Sequence, residues 1–501
     1  MSGLASLTQG FQALLTDPGM FLLLVAGVLM GIIFGSIPGL TGALGIALIL
    51  PFTYTMSASY SFAILVGIYV GSISGGLISA ILLNIPGTPA ALATCFDGSP
   101  MALKGEPGKA LFIGTFASLI GGLISGIALI LISEPLSSIA VYFGYWEYFA
   151  LGIMGLCIVV GLVGKDLIKG LISAVIGICV GLVGLDSVSA VSRYTFGSWQ
   201  LTAGFSTLPV LMGLFAMAEI MTSLRSLGQK AERIKIDKIP FVPKKEWFHK
   251  CDIKTLFTGS LIGTGVGILP GVGQATAALI SYTSAKRSSK EPEKFGTGCV
   301  EGIIASESAN NAVCGGALIP MMALGIPGDV ITAILLGALV IHGLQPGVLL
   351  FKSPDGAGLV GVVFAVYMLG NIVMYLMQLG LMRGFVQILK VPLNILYPMI
   401  LTACMVGAIT TNNRVFDAGI LVVFGIIGYL MVNNNYPLPP MVLGFVLSKT
   451  IETNYRIAMI ACDGNFFAIL SRPVAVAFIV LGLLMAILPS IRERKAQKAK
   501  K

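Results

Sequence analysis

Long apolar runs fill most of this chain, and the polar positions between them are few. Runs lie near 111–133, 140–163, 167–185, 207–225, 357–380, 393–410, 417–433 and 467–489. A helix needs about 20 such residues to cross the hydrocarbon core of a bilayer, so each run predicts a span. The segment 433–465, "NNNYPLPPMVLGFVLSKTIETNYRIAMIACDGN", is too polar to be assigned by this rule. Residues 1–19 contain neither Lys nor Arg. They lack the basic n-region of a cleaved signal peptide and predict a short interfacial helix.

Two further apolar stretches are interrupted by Pro-Gly: "GSIPGLTG" at 35–42 and "GILPGVGQ" at 267–274. They align without gaps, with Gly27, Gly31, Gly35, Pro38 and Gly39 opposite Gly259, Gly263, Gly267, Pro270 and Gly271 (270 − 38 = 232). A second pair follows, "LLNIPGTP" at 82–89 and "MALGIPGD" at 322–329 (327 − 86 = 241). Two ordered matches predict a duplicated chain.

Composition sharpens this picture. The 501 residues are 56% hydrophobic and 11% charged, whereas soluble domains carry about 25% charged residues. Only lipid as solvent makes such a composition sensible. The net charge of +9 gathers in a few loops and the tail, the usual determinant of membrane orientation. The segment 225–254, the loop "KRSSKEPEK" at 286–294 and the tail "IRERKAQKAKK" at 491–501 are strongly basic, and "KGEPGK" at 104–109 is weakly so. All four are expected in the cytoplasm. Basic loops at both ends of 255–283 predict a re-entrant hairpin turning at Pro270-Gly271, with one kinked span as the competing reading. Non-helical backbone at that depth needs protein or a watery cavity beside it. After the first tip the loop "TYTMSASYSF" at 53–62 has no charge, so the two halves are expected in opposite orientation.

The expected fold is therefore an all-α polytopic membrane protein of about 10–12 transmembrane segments. It has two inverted repeats with re-entrant or Pro/Gly-broken helices. Its parts are an interfacial segment (1–19), a first membrane repeat (20–225), a basic cytoplasmic linker (226–254), a second repeat (255–490) and a basic cytoplasmic tail (491–501).

Polar residues inside apolar sequence mark the candidate chemistry. In "EGIIASESANNAVCGGALIP" at 301–320, Ser306, Glu307, Ser308, Asn310 and Asn311 sit within membrane-length sequence. An ionisable group there is a functional candidate by default, the alternative being a satisfied interhelical hydrogen-bond cluster. Asp329, opposite Thr88, reads as the N-cap of a half-helix or as a cation ligand. Broken helices expose N–H groups that suit anions and carbonyls that suit Na⁺. Candidate substrate-binding residues are Pro38, Gly39, Thr41, Gly42, Asn84, Gly87, Thr88, Gly271, Gly273, Gln274, Ser306, Asn310, Asn311 and Gly328. Glu307 and Asp329 are the candidates for the coupling ion. The eight cysteines form no CxxC and read as small packing residues. His249 and His342 carry no assigned role. No GxSxG or HExxH motif is present, and no cofactor or metal beyond a possible Na⁺ is expected.

The stretches "GSIPGLTGALGIALILPFT", "NIPGTPAALAT", "FDGSPMALKGEPGKAL", "GILPGVGQATAALISY" and "EGIIASESANNAVCGGALIPMMALGIPGD" resemble the large permease subunit of the tripartite tricarboxylate transporters, the TctA-type family. The resemblance runs from about 20 to 490, and the E-S-A-N-N block is its most specific part. It implies a bacterial inner-membrane carrier that imports a di- or tricarboxylate, with Na⁺ or H⁺ as the coupling ion. Aromatic acids are also among the family's substrates. It further implies a small membrane subunit and a periplasmic solute-binding protein as partners. The family pattern has a small residue where Asp329 stands. An uncoupled anion channel is the rival reading.

Overall fold

The computed structural model describes residues 3–38, 40–163, 167–186, 188–223, 247, 250–388 and 393–498. Gly39 and most of the basic segment 225–254 lie outside the described residues. Helices α1 (Gly3–Thr16), α2 (Pro18–Ser36), α3 (Gly42–Thr53) and α4 (Ala58–Leu83) come first. After a break follow α5 (Leu92–Leu103), α6 (Pro107–Ala140), α7 (Tyr145–Val163) and α8 (Leu167–Gly181). A two-residue ribbon pairs β1 (Gly184–Leu185) with β2 (Ser192–Arg193). Helices α9 (Thr207–Met212) and α10 (Ala218–Ser223) are joined by a wide π turn, Gly213–Met217. Then come α11 (Lys250–Ile268), α12 (Gly273–Ser288), α13 (Val300–Leu324), α14 (Val330–Ile341) and α15 (Val348–Lys352). The chain closes with α16 (Pro354–Ile388), α17 (Leu393–Asn412), α18 (Val415–Asn433), α19 (Leu438–Ala461) and α20 (Pro473–Lys498).

Among the described residues, five helices are long and apolar enough to cross a membrane: α2, α4, α6, α16 and α18. Seven shorter apolar helices accompany them. The expected runs 111–133, 357–380, 393–410 and 417–433 lie within helices, whereas 140–163 includes the turn before α7 and 167–185 ends in β1; the described part of 207–225 is helical through Ser223. The unassigned segment 433–465 is mostly the continuous α19. The run 467–489 begins instead with a 3-10 segment, Phe466–Ser471, and becomes α-helical at Pro473.

Glycine ladders set the central packing. A Cβ at Gly27, Gly31 or Gly35 of α2 would strike the main chain of Ile64, Ile68 or Ser72 in α4. Gly263 and Gly267 of α11 press the same way on Ala309 and Val313 of α13, while a Cβ at Gly259 would strike Ser308 Oγ and lie 3.3 Å from Ala305 O. Small residues every fourth position let two backbones approach closely, the device that membrane helices use in place of a hydrophobic drive. In both pairs the numbering rises together, so the helices run parallel.

The intervening helices run back. A Cβ at Gly259 would lie 2.9 Å from Ser281 Oγ. Those two positions are nearly equidistant from Pro270, so α11 and α12 form a hairpin with its tip there. In the first half, a Cβ at Gly42 would meet Ser72 and one at Gly45 would meet Ile68 Cγ2 at 3.3 Å. Helix α3 therefore descends along the ascending α4.

Outside this centre, α7, α8 and α19 bury Leu156, Val159, Ala174 and Leu443 together. Beyond α8 the chain is held by charge. Asp186 accepts from Ser189 Oγ at 2.6 Å, from Val188 N at 2.8 Å and from Arg456, and Arg193 pairs with Glu452. The Ser189 hydroxyl, the Val188 N–H and Arg456 hold the Asp186 carboxyl well below the usual range. A depressed carboxylate contributes stability above its unfolded pKa and loses it as pH falls through the folded value. The network therefore persists until strongly acidic pH.

Candidate functional site

The chain breaks where its local chemistry requires it. Helix α4 ends at Asn84 with φ 54°, and α13 ends at Gly325 with φ 71°, the left-handed turn that closes many helices. Pro86 and Pro327 follow and cannot donate to a helical ladder. Two of the helices that start at the breaks, α3 and α14, do so under side-chain caps. Thr41 Oγ1 accepts from Leu44 N at 3.2 Å at the head of α3. Asp329 caps α14, accepting from Thr332 N at 2.7 Å while Asp329 N donates to Thr332 Oγ1 at 2.9 Å. This reciprocal pair is a capping box. The second tip and the second break are tied directly, since Gly271 N donates to Gly328 O at 2.7 Å.

All four restarts face one cavity of about 770 Å³. Its wall includes Thr41–Ala43, Thr88–Ala90, Gly271–Thr276 and Asp329–Ile331. Leu214 and Phe215 of the π turn, Glu219, Lys169, Ile73, the strip 435–439 and Val442–Leu443 also line it. Starts of helices present unpaired N–H groups and a positive dipole end, which attract anions. A mostly apolar wall with a few convergent polar groups is the usual form of a small-molecule site.

Within the wall, Asp329 is 4% exposed. Its oxygens also receive Thr332 Oγ1 at 2.7 Å, Tyr69 OH at 2.6 Å and Gln274 Nε2. Thr88 is 4% exposed and its hydroxyl has no hydrogen-bond partner among the described residues. Lys169 stands at the rim, donating to Asn434 O at 2.8 Å with its ammonium 5.2 Å from the Tyr436 ring centre.

The E-S-A-N-N block lies elsewhere. Glu307 is fully buried between α5, α6 and α13. It accepts from Thr94, from Ser118 Oγ at 3.1 Å and from Asn311 Nδ2 at 3.3 Å. Ser306 shares a hydrogen bond with Thr94 at 3.3 Å. Ser308 Oγ, both amide atoms of Asn310 and Asn311 Oδ1 are buried without partners among the described residues.

Seven of the sixteen residues singled out from sequence therefore meet at the cavity: Thr41, Gly42, Thr88, Gly271, Gly273, Gln274 and Asp329. Ser306, Glu307, Asn310 and Asn311 form the separate cluster. Pro38, Asn84, Gly87 and Gly328 shape the breaks behind the wall. A Cβ at Gly87 would lie 3.0 Å from Gly76 Cα, and one at Gly328 would lie 2.6 Å from Ala317 Cα. Gly39 lies outside the described residues. Tyr69, Lys169, Phe215, Glu219 and the strip 435–439 were not singled out. Only "NNNYPLPP" at 433–440 carried a signal, as polar and proline-rich sequence between spans. Asp97 was also missed. It is fully buried and accepts from Gly296, Gly298 and Cys299 N–H at 2.9, 2.9 and 2.7 Å and from Tyr282 OH at 2.8 Å. It thereby clamps α5 to the loop before α13. Among the described residues, no group of three His, Cys, Asp or Glu is placed to hold a metal ion.

Residues 21–443 match the sequence model described as the tripartite tricarboxylate transporter TctA family. A 52.8 kDa protein of Agrobacterium vitis, described as uncharacterised and lying in the TAR-I ttuC' 3' region, is 34% identical over 502 residues. That match covers 99% of this chain and 98% of the relative. A second A. vitis protein, from the TAR-II ttuC' 3' region, is 35% identical over 238 residues, covering 47% of this chain and 98% of its own length. No solved structure matches.

Proposed function

This chain belongs to the tripartite tricarboxylate transporter TctA family, and from that premise we propose that it is the permease of a binding-protein-dependent secondary transporter. The family is one of transporters, not enzymes, and the chain is a multi-pass membrane protein. In this reading it imports an organic carboxylate by alternating access, driven by Na⁺ or H⁺. A small membrane subunit and a periplasmic solute-binding protein complete the system. The observation that carries the reading is the meeting of four helix restarts on one cavity, which offers backbone donors to an anion without Arg in lipid.

The duplicated, inverted plan has its own support. Contacts made by Gly27, Gly31 and Gly35 recur 232 positions later, at 259, 263 and 267. Their targets recur 241 positions later, 305 from 64, 309 from 68 and 313 from 72. Helices α4 and α13 run against one another: Tyr69 meets Asp329 just beyond the end of α13, while Gly114 lies between Leu77 and Glu307. Orientation is assigned by the basic loops. Positions 56–58 face the periplasm and 288–290 the cytoplasm. Cysteines placed there should label from opposite sides in intact cells, and labelling from one side would remove the inversion. The basic sequence "GKDLIK" at 164–169 is assigned to the cytoplasm by the same rule, so with Lys169 on its wall the cavity opens to the cytoplasm and the conformation is inward-facing.

Transport is tested in proteoliposomes that contain the membrane subunit, with the binding protein and an imposed ion gradient. Saturable, gradient-dependent uptake and counterflow are expected. Ala275→Trp, which fills the cavity from the half-buried start of α12, should reduce uptake to background. Flux that neither saturates nor follows the ion gradient would instead mean a channel.

A further inference from the structure

Charge in the cavity is of the wrong sign for a polyanion. Among the described lining residues the charged side chains are Asp329, Glu219 and Lys169. Lys169 is at the rim, already bound to Asn434 O. Asp329 is nearly buried, and its contacts are Tyr69, Gln274 and Thr332, all neutral. No cation balances it among the described residues. It also fixes its neighbour. A carboxylate beside Gln274 takes the amide's Nε2 donor, which leaves Oε1 as the free end of that amide. The ligand therefore meets acceptors at this end of the cavity and a buried negative charge behind them.

We propose that Asp329 is a specificity-determining residue that rejects polycarboxylates. The substrate it selects is a monoanion with one carboxylate, an apolar body and a hydrogen-bond donor at the far end. The carboxylate takes the backbone N–H groups of the other restarts and the unpartnered Thr88 hydroxyl. The donor takes Gln274 Oε1. The apolar body lies against Ile73, Phe215, Val272 and Leu443. This rests on the cavity being the substrate site.

The test measures equilibrium binding to the full chain in lipid nanodiscs, which removes the binding protein's own selectivity. The probes are 4-hydroxybenzoate, terephthalate (the same body with a second carboxylate in place of the hydroxyl) and citrate. Wild type should prefer 4-hydroxybenzoate over both others by about tenfold or more, the scale of one uncompensated charge at close range. Asp329→Asn and Asp329→Ser both keep an N-cap for α14 and should lower that preference by about tenfold. An unchanged preference in the folded variants overturns the proposal. So does a wild type that binds citrate or terephthalate as tightly, or one that binds no probe. Ala275→Trp separates the two readings. If binding survives it, the ligand is not in this cavity and the proposed function falls as well. If binding is lost while the Asp329 variants keep wild-type preference, only the role of Asp329 falls.

Discussion

Glu307→Gln is expected to leave substrate exchange in place but to abolish most ion-driven accumulation. Glu307 is fully buried on a helix whose every residue from 302 to 323 is buried. Its partners Thr94, Ser118 and Asn311 are neutral, and no ion pair reaches it among the described residues. Unlike Asp329, which caps the positive start of α14, Glu307 would carry its charge in mid-helix, where it is expensive, so a cation or a proton should be taken up to balance it. Oxygens suited to a hard cation are present on the same helix, since Ser308 Oγ, Asn310 Oδ1 and Asn311 Oδ1 lack partners among the described residues. Glu307 also reaches α5 through Thr94, and α5 follows the break that carries Thr88. In the proposed mechanism, cation uptake at Glu307 and anion binding at the cavity would be linked through one helix start. Coupling between such sites is typically about 1–3 kcal/mol, or about 5–150-fold in affinity, and it is reciprocal. Gln keeps the shape and removes the charge. The measurement is substrate affinity against Na⁺ concentration and pH, together with the accumulation ratio. Wild-type ion dependence in the variant would make Glu307 a structural acceptor only.

The second large effect is at Gly271. Its φ is 73°, a region that costs a side-chain-bearing residue about 1–2 kcal/mol and is a genuine outlier for a β-branched one. A Cβ there would lie 2.8 Å from Val159 Cβ and closer still to Cγ2. Overlap in a packed site adds about 1–3 kcal/mol, against a total stability of about 5–15 kcal/mol for a typical domain. Gly271→Val should therefore lower the melting temperature and abolish transport. From sequence the expected reason is a side chain filling the anion's space. The structure supplies another: that side chain points into α7, and the Gly271–Gly328 hydrogen bond that joins tip to break is strained with it. Gly273→Ala is the control, because Gly273 shares φ 73° but a Cβ there meets nothing within 4 Å. Its loss should be only the strain, about 1–2 kcal/mol. A Gly273→Ala variant more damaged than Gly271→Val would contradict this ordering.

Much of the helical plan was legible because its signals are local. A Pro lacks its N–H wherever it lies, so Pro38, Pro86, Pro270 and Pro327 announce breaks without any knowledge of neighbours. Glycines every fourth position announce a close helix contact, though not which helix answers it. A carboxylate in apolar sequence announces cost, so Glu307 stood out at once. None of these signals carries distance between segments. Grouping Ser306, Asn310 and Asn311 with the tips followed from their chemistry, yet the fold puts them in a separate buried cluster.

What only the tertiary structure decided is which of these pieces share a cavity. Tyr69 lies in an unremarkable apolar run, and it matters because α4 and α13 cross so that its hydroxyl reaches Asp329, 260 positions away. Lys169, Phe215 and the strip 435–439 reach the same wall from helices whose sequences read as ordinary spans and loops. Asp329 read equally well as a cap or as a cation ligand. The fold gives it the cap's hydrogen bonds, sets Tyr69 and Gln274 beside it and places it on the cavity wall. Hydropathy, proline and glycine act through the residue's own backbone and solvent, so a sequence displays them. A site is a meeting of side chains brought together by packing elsewhere, here by glycine ladders on α2 and α11, and that meeting exists only once the helices have docked.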